Sequence, residues 1–284
     1  MARRTLAKEV IVEGVALHSG VRVRMSMLPA ASASGIMFHR EDLGDQQIPA
    51  RYDMVSETRL GTVIANATGA TVGVIEHLMA AISGCGIDDV EIVLDGPEPP
   101  ILDGDAMSYL SLIEQAGFTT KSQEREVIQL LRRVEAGEDE ASASLSPAPN
   151  REFDFEIAFA SRAIGRQKYF WTFSEAGFRR DIAPARTFGF VQELEALNKA
   201  GMGRGASLSN TLAIDGDNVI NSNLLRFEDE FVRHKILDAI GDLALAGAPI
   251  VGRFEGRRSG HALNNRLLRT LFASSENFIR VPLA

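Results

Sequence analysis

The sequence predicts an α+β fold made of two domains of similar architecture. Its 284 residues, 45% of them hydrophobic, are enough for one large core or two smaller ones. Apolar residues alternate over short stretches and recur at helical spacing over longer ones, and the order strands, helix, strand, helix is repeated in the second half. We expect a first domain at residues 1–122 and a second at residues 123–284.

In the first half, three short stretches of alternating or continuous apolar residues predict strands: residues 21–25, 36–38 and 90–94. Two longer stretches with helical apolar spacing are each followed by a glycine that favours helix termination: residues 71–83 before Gly84, and residues 106–116 before Gly117. Between them, residues 96–104 are proline-rich and predict a loop.

In the second half, the polar residues 121–126 are interpreted as the join between the domains. The strands predicted after this join are residues 127–134, 152–159 and 250–254, and the helices are residues 227–245 and 264–273. Residues 136–150 have low complexity and are expected to be partly mobile, although residues 141–145 favour a short strand.

The charge balance argues against one class of partner. The 30 Lys and Arg residues against 38 Asp and Glu residues give a net charge of -8, whereas broad contact with a phosphate backbone needs excess positive charge, so we expect no nucleic acid partner. The single cysteine, Cys85, cannot form an intramolecular disulfide. No stretch has the continuous apolar character of a signal peptide or membrane span. These features predict a cytoplasmic protein.

The helix predicted within residues 226–247 carries the first candidate metal ligands. His234, Asp238 and Asp242 follow one another at intervals of four residues, and each step turns only about 40° around the helix axis, so the three side chains share one face. A histidine nitrogen and a carboxylate oxygen at this spacing can bind one zinc ion. The alternative is a solvated stripe with ordinary hydrogen bonds between successive turns.

A second candidate pair lies in the first predicted helix. Glu76 and His77 interrupt an otherwise apolar stretch, where two ionisable side chains are costly to bury without partners or a role. His77 can complete the metal ligands, and Glu76 can accept a proton from a water activated by the metal. A partly exposed helix face is the alternative.

A further histidine, His261, lies just before the last predicted helix. Ser259 and Gly260 precede it and favour an accessible position. If the fold brings His261 to the metal, it can protonate a leaving amine, while Asp242 bonds its other nitrogen and favours the charged form. The alternative is an ordinary surface histidine.

Seven motifs occur in order along nearly the whole chain: GVALHSG (14–20), ETRLGT (57–62), VIEHLMAA (74–81), PILDGDA (100–106), ARTFGF (185–190), LRFEDEFVRHKILDAIGDL (225–243) and SGHALNN (259–265). Together they resemble the UDP-3-O-acyl-N-acetylglucosamine deacetylases, zinc amidases of lipid A synthesis in Gram-negative bacteria. The resemblance implies hydrolysis of the N-acetyl group of UDP-3-O-[(3R)-3-hydroxyacyl]-N-acetylglucosamine to give acetate and UDP-3-O-acyl-glucosamine, the committed step of that synthesis.

Transferred residue by residue, the resemblance implies a complete catalytic centre. His77, His234 and Asp238 would hold one Zn2+ ion, with Fe2+ as the alternative metal. Glu76 would be the general base, and His261 would protonate the departing amine or stabilise the oxyanion. These implied roles agree with the chemistry inferred above from the residues themselves.

The resemblance also implies supporting and substrate-binding roles. Asp242 would pair with His261, and the Thr187 hydroxyl would help polarise the scissile carbonyl. Phe188 and Lys235 would contact the sugar nucleotide, where a lysine suits a diphosphate as a point charge. An ordinary solvated helix lysine is the alternative for Lys235.

The family fold implied by the resemblance has two domains, each an antiparallel sheet packed on helices, with the helices of both domains between the sheets. Each domain carries one small insert. The second insert, near residues 190–220, would form an apolar passage for the fatty acyl chain. The residues expected to line that passage are Phe190, Val191, Leu194, Leu197, Met202 and Leu212, and Leu60 is a further residue expected to contact the substrate. A plain packed helix would have the same spacing.

Two regions depart from the family pattern. Gly61 occupies a position near the metal that is often cysteine, so thiol-dependent metal behaviour should be absent. Residues 136–149 lack the usual lysine and tryptophan, so no nucleotide contact is assigned there.

The alternatives to this deacetylase function are a zinc amidase for another N-acyl amino sugar and a noncatalytic protein that binds sugar nucleotide or lipid. Glu76 and His261 disfavour the latter, because binding alone requires neither a base nor an acid. A monomer is expected.

Overall fold

The computed structural model describes residues 1–31, 33–138 and 140–283 and has the predicted α+β composition. The strands of the first half are β1 (Ala2–Leu6), β2 (Val10–Val15), β3 (Arg22–Pro29), β4 (Ile36–Arg40), β5 (Gln46–Pro49), β6 (Val55–Glu57), β7 (Val63–Ala65), β8 (Thr71–Val72), β9 (Val90–Leu94) and β10 (Phe118–Glu124). The strands of the second half are β11 (Glu126–Leu130), β12 (Val134–Glu138), β13 (Ala141–Ser146), β14 (Arg151–Ala158), β15 (Arg166–Thr172), β16 (Phe188–Phe190), β17 (Leu212–Asp215), β18 (Asn218–Val219), β19 (Ile250–Arg257) and β20 (Phe278–Pro282). The α-helices are α1 (Glu76–Gly84), α2 (Met107–Ala116), α3 (Glu175–Gly177), α4 (Val191–Lys199), α5 (Glu230–Ala244) and α6 (His261–Phe272).

A five-stranded sheet forms the centre of the first half, in the order β2-β3-β9-β4-β5. Its pairs are antiparallel except for β4 and β9, which run parallel with Phe38 opposite Ile92. The alternation predicted at residues 21–25 is confirmed at Val23 and Met25, which are buried on β3, whereas Val21 precedes the strand and is 44% exposed. A separate three-stranded sheet, β6-β7-β8, is the insert of this half.

A seven-stranded sheet forms the centre of the second half. β19 lies inside it and pairs antiparallel with β13 and parallel with β11 and β14. The expectation of antiparallel sheets therefore holds for most pairs, and the exceptions in this sheet are the parallel pairs of β19 with β11 and β14. The second insert contains α4 and the small sheet β16-β17-β18.

The two halves repeat one order of elements around their long helices. In the first half α1 precedes β9 and α2 follows it, and in the second half α5 precedes β19 and α6 follows it. α1 and α5 pack directly against each other. Gly241 allows the close approach, because a Cβ at this position would overlap the carbonyl oxygen of Glu76. This contact brings the candidate residues of both helices together.

The predicted helix at residues 71–83 begins too early. Thr71–Val72 is strand β8, in which Val72 pairs with Ile64 of β7. Val74 has a φ of 53°, a left-handed conformation that interrupts regular structure. The helix therefore begins at Glu76, and the β-branched residues Thr71 and Val72 belong to the insert sheet instead.

Most of the polar stretch at residues 121–126, which is interpreted as the join between the domains, belongs to β10. This strand pairs with β1 from the start of the chain, and six of its seven residues are exposed. A strand that is exposed along nearly its whole length does not need apolar residues, which explains the polar sequence of β10. The domain boundary between residues 122 and 123 would fall inside this strand, and the division itself stays a prediction.

Three further expectations are corrected in detail. Residues 136–150 contain most of a hairpin of β12 and β13, which confirms the short strand at residues 141–145; Asp139 lies outside the described residues. The strand predicted at residues 127–134 is split into the end of β11 and the start of β12. His261 is the first residue of α6 rather than a loop residue, and the long helix α5 begins at Glu230.

Cys85 is buried at the end of α1, as expected for a small apolar residue. Burial raises the pKa of its thiol to about 12, which leaves the thiol protonated and unreactive near neutral pH. Among the described residues, no helix combines the length and the apolar character that a bilayer span requires.

Candidate metal centre and active site

Two helices bring three potential metal ligands together. His77 comes from the first turn of α1, and His234 and Asp238 come from successive turns of α5. One ligand atom from each residue lies within 4.8 Å of the others. Asp238 Oδ1 is 3.4 Å from His234 Nε2 and 3.7 Å from His77 Nε2. Tetrahedral donors about 2.0–2.2 Å from one ion are separated by roughly 3.3–3.6 Å, so this spacing suits a metal site.

The polar atoms of these side chains either form a hydrogen bond or have no partner among the described residues. His234 Nδ1 lies 3.1 Å from the carbonyl oxygen of Ala185 and donates to it, which leaves Nε2 free to ligate. Lys235 Nζ donates to Asp238 Oδ2 at 2.7 Å. Asp238 Oδ1 and His77 Nδ1 are buried and have no hydrogen-bond partner among the described residues. A cation next to Asp238 Oδ1 would remove this deficit.

Burial and neighbouring charges together hold the three ligands in the protonation states that a metal requires. It lowers the pKa of His77 to about 3 and also lowers the pKa of His234, so both imidazoles are neutral. Burial alone would raise the pKa of Asp238, but the neighbouring His234 and Lys235 hold it well below its usual range. The centre therefore presents two neutral nitrogens and one carboxylate.

Glu76 lies beside the ligands, at the start of α1. Its Oε2 accepts a hydrogen bond of 2.9 Å from the backbone N–H of Thr62. Burial raises the pKa of Glu76 to about 7, which is suitable for a group that gains and loses a proton near neutral pH. Gly61 lies against this carboxylate, since a Cβ there would be 2.9 Å from Glu76 Oε1 and its φ of 144° is unfavourable for a side chain.

His261 is held next to Glu76 by a buried carboxylate. Its Nδ1 is 2.8 Å from Asp242 Oδ2, and its Nε2 is 3.8 Å from Glu76 Oε1. Thr62 Oγ1 donates to Asp242 Oδ1 at 2.6 Å, and the Asn264 side chain donates to Oδ2 at 2.8 Å. Burial would lower the pKa of His261, but Asp242 and Glu76 raise it to about 9. His261 is therefore protonated at neutral pH, with Nε2 as the available donor.

The metal centre opens into a cleft of about 780 Å³ between the two halves. Glu76, His77, His234, Asp238 and His261 all lie on its wall. The other predicted residues on this wall are Leu60, Thr187, Phe188, Phe190 and Lys235. The cleft therefore brings the expected catalytic and sugar-contacting residues to one surface.

Thr187 and Phe188 are held at this wall by the loop at Gly104, by the second insert and by α5. The backbone N–H of Thr187 donates to the carbonyl of Gly104 at 2.8 Å, and its carbonyl accepts from Leu212 at 2.9 Å. The Phe188 ring packs edge-on against Phe231, with the ring centroids 5.1 Å apart. Both residues also line an adjoining apolar cavity, so they lie where the two spaces meet.

The adjoining cavity has a volume of about 450 Å³ and is formed mainly by the second insert. Of the residues expected to line an acyl passage, four line this cavity: Phe190, Val191, Leu194 and Leu197. Leu60, expected to contact the substrate, lines it as well. Met202 lines a smaller neighbouring cavity next to Gly61 instead. Leu212 lines none of these spaces, because its side chain is fully buried beneath the small sheet that pairs it with Phe188.

A sequence profile of the family described as UDP-3-O-acyl N-acetylglycosamine deacetylase matches residues 3–273. The chain belongs to this deacetylase family.

Curated relatives with the name UDP-3-O-acyl-N-acetylglucosamine deacetylase come from several bacteria. The protein from Phenylobacterium zucineum is 46% identical over 275 residues, which are 96% of this chain and 94% of the relative. The protein from Nautilia profundicola is 44% identical over 273 residues, which are 96% of this chain and 92% of the relative. The protein from Neisseria meningitidis is 42% identical and covers 100% of this chain and 94% of the relative.

Three polar residues of this deacetylase-family site were missed by the sequence analysis. Thr62 contacts both Glu76 and Asp242, and Asn264 contacts Asp242. Arg258 lines a cavity of about 350 Å³ that adjoins the cleft at Lys235. All three lie in or next to the seven family motifs. Their place in these motifs is the only signal in the sequence that could have identified them, because neither charge pattern nor helical spacing distinguishes them.

Proposed function

We propose that this chain removes the N-acetyl group from UDP-3-O-[(3R)-3-hydroxyacyl]-N-acetylglucosamine, releasing acetate and UDP-3-O-acyl-glucosamine in the committed step of lipid A biosynthesis. One observation carries the proposal: potential metal ligands, a buried carboxylate and a protonated imidazole face a single cleft that joins an apolar cavity. Membership of the deacetylase family and the names of the relatives support it. The combination of base and acid favours catalysis over binding alone.

The residues present fit a divalent metal, and we propose zinc. His77, His234 and Asp238 provide two imidazoles and a carboxylate, a combination found in catalytic zinc sites, and the buried Asp238 Oδ1 lacks any other partner among the described residues. The same donors also suit Fe2+, so metal analysis must distinguish the two ions. When bound, the ion would supply Lewis-acid polarisation of the acetamide carbonyl and a lower pKa for the attacking water.

The proton transfers are assigned to Glu76 and His261. Glu76 accepts the proton of the attacking water, because its pKa of about 7 leaves a large fraction ionised at neutral pH. His261 then donates the Nε2 proton to the sugar nitrogen, so that the amine leaves without a negative charge. Asp242 keeps His261 protonated and oriented through the 2.8 Å contact to Nδ1.

Thr187 and Lys235 are proposed to bind the substrate on either side of the reacting group. The Thr187 hydroxyl donates to the acetamide oxygen, where negative charge develops in the transition state. Lys235 and Arg258 border the adjoining 350 Å³ cavity, which makes this cavity our candidate for the diphosphate. Phe188, at the junction with the apolar cavity, provides an aromatic surface for the sugar.

The apolar cavity beside the cleft is the proposed site of the 3-O-acyl chain. Leu60, Phe190 and Leu194 lie on its wall, and Leu194 is 39% exposed although it is a large apolar residue. Such exposure is expected where a ligand rather than the protein itself covers the side chain. Monomeric state and cytoplasmic location stay predictions.

The proposed function is tested by measuring acetate release from UDP-3-O-acyl-N-acetylglucosamine. We expect one acetate for each amine formed, complete loss of turnover after chelation and its return when zinc is added. A substrate lacking the 3-O-acyl chain serves as the comparison and should react poorly. Absence of acetate release from the metal-loaded protein would disprove the proposal, and equal rates for both substrates would favour an amidase for another amino sugar.

Replacing Asp242 with asparagine is expected to move the alkaline limb of the pH profile to lower pH. The acid form of His261 persists in the wild type until the pH passes about 9, because Asp242 and Glu76 raise its pKa despite burial. Removing the charge of Asp242 lowers this pKa, so the donor is lost at lower pH. The measurement is kcat/KM as a function of pH. An unchanged alkaline limb would contradict the assignment of His261 as the acid.

A further inference from the structure

The turn between β2 and β3 contacts both inserts next to the apolar cavity of about 450 Å³, which we call the acyl cavity. Its backbone is held by Glu98, a buried side chain that accepts hydrogen bonds from the N–H groups of His18 at 2.8 Å and Ser19 at 2.9 Å. Glu98, which is not one of the residues around the metal, therefore holds the backbone that carries the His18 ring.

The His18 ring bridges the two inserts through its two nitrogens. The backbone N–H of Gly203, in the second insert, donates to Nδ1 at 3.3 Å. Nδ1 must then be unprotonated, so the neutral ring carries its proton on Nε2. Nε2 lies 2.8 Å from the carbonyl oxygen of Leu60, which can only accept. The two contacts thus require the same tautomer and support each other.

Both partners of His18 form the wall of the acyl cavity. Leu60 lines the reaction cleft and the acyl cavity, so its side chain lies where the two meet. Gly203 and His18 itself also line the acyl cavity. A displacement of Leu60 would therefore change the entrance to the cavity and leave the metal ligands in place.

We infer that His18 is a positioning residue that sets the preference for a long 3-O-acyl chain, by holding Leu60 against the second insert where the acyl cavity opens into the cleft. The inference rests on the proposed function and deepens it.

The contact with Leu60 has no substitute, whereas the contact with Gly203 does. The backbone N–H groups of Arg204 and Gly205 donate to the carbonyls of His18 at 3.2 Å and Leu17 at 3.0 Å, which ties the second insert to the turn without the imidazole. Leu60 lies in the loop of residues 58–62 between the paired strands β6 and β7, and the His18 contact is the only hydrogen bond to its carbonyl among the described residues. Loss of the Nε2 donor should therefore release the Leu60 side of the entrance first.

Three substitutions separate the two contacts. His18→Gln retains a donor that can reach the Leu60 carbonyl. His18→Asn can place its acceptor oxygen near the position of Nδ1 but is too short to bring its amide donor to the Leu60 carbonyl, and His18→Ala removes both groups. The readout is kcat and KM for UDP-3-O-acyl-N-acetylglucosamine with a long hydroxyacyl chain and for the same sugar nucleotide with a 3-O-acetyl group. His39→Gln is the control, because both nitrogens of the His39 ring also have partners, the carboxylates of Asp45 and Glu91, but His39 lies on β4, away from the cleft.

We expect the asparagine and alanine variants to lose about tenfold in kcat/KM for the long-chain substrate, mainly through KM, as for one lost hydrogen bond. The 3-O-acetyl substrate should change by less than about twofold, and the glutamine variant and the His39 control should resemble the wild type. An equal loss for both substrates would show a merely structural role and overturn the inference. So would equal long-chain rates in the glutamine and asparagine variants, or no loss in any variant. A wild type that releases no acetate from either substrate would instead overturn the proposed function, and the inference with it.

Discussion

Replacing Glu76 with glutamine is expected to lower kcat by about 10²- to 10⁴-fold while the metal content stays unchanged. Glutamine has nearly the same size and can still accept the 2.9 Å hydrogen bond from the Thr62 N–H, so the local structure should persist. An amide oxygen cannot take a proton from water at neutral pH, which removes the base. The measurement is the initial rate of acetate release and the metal content of the same sample.

The control for this variant is Glu114→Gln. Glu114 is a partly exposed residue of α2 that pairs with Arg179 and lies outside the cleft. Its substitution should leave both turnover and metal content at wild-type values. Turnover near the wild-type rate in metal-loaded Glu76→Gln would rule out Glu76 as the base and would leave His261 as the remaining candidate.

Replacing His234 with alanine is expected to remove both the metal and all measurable turnover. The substitution leaves one imidazole and one carboxylate, one donor fewer than a catalytic zinc site uses. It also removes the hydrogen bond that the ring makes to the Ala185 carbonyl, which orients Nε2. The measurement is metal per chain after dialysis, with the rate determined in parallel.

His39→Ala is the control for the loss of a histidine as such. His39 lies between the carboxylates of Asp45 and Glu91 on the first sheet and has no contact with the metal centre. This variant should keep one ion per chain and should remain active. Full metal stoichiometry in His234→Ala would show that the ion is held elsewhere and would overturn the proposed set of ligands.

The face of α5 could be predicted because its geometry is local. His234, Asp238 and Asp242 are four residues apart, and a helix of any orientation places them in one line. The pairing of Asp242 with His261 was expected only on the condition that the fold brings His261 to the metal, which the helix geometry alone does not decide. The distances of 3.4 and 2.8 Å now place Asp238 with His234 and Asp242 with His261.

The start of α1 could not be predicted in the same way. Residues 71–75 are apolar and mostly β-branched, so they satisfy a helical pattern and a strand pattern equally well. The pairing of Val72 with Ile64 decides between them, and this pairing joins residues that are not neighbours in sequence. The same limit applies to the ribbon of β1 and β10, whose partner strand is more than a hundred residues away.

The approach of His77 to the α5 ligands depends on packing that the sequence does not display. Gly241 lets the helices approach until its Cα lies next to the Glu76 carbonyl. In the sequence, nothing distinguishes this glycine from one that merely weakens a helix. Thr62 and Asn264 complete the site through hydrogen bonds to Asp242, but uncharged residues of this kind occur in most loops and helix starts. Only their tertiary contacts with Asp242 identify Thr62 and Asn264 as part of the site.

The central claim is that one ion, held by His77, His234 and Asp238, works together with Glu76 in hydrolysis. The most direct measurement is a titration of the metal-free chain with zinc, in which bound metal and acetate release are followed together. We predict that the rate rises in proportion to bound zinc and reaches its maximum at one ion per chain. Glu76→Gln should bind the same single ion without turnover. Full activity in the metal-free chain, or a rate that does not follow the first bound ion, would contradict the claim.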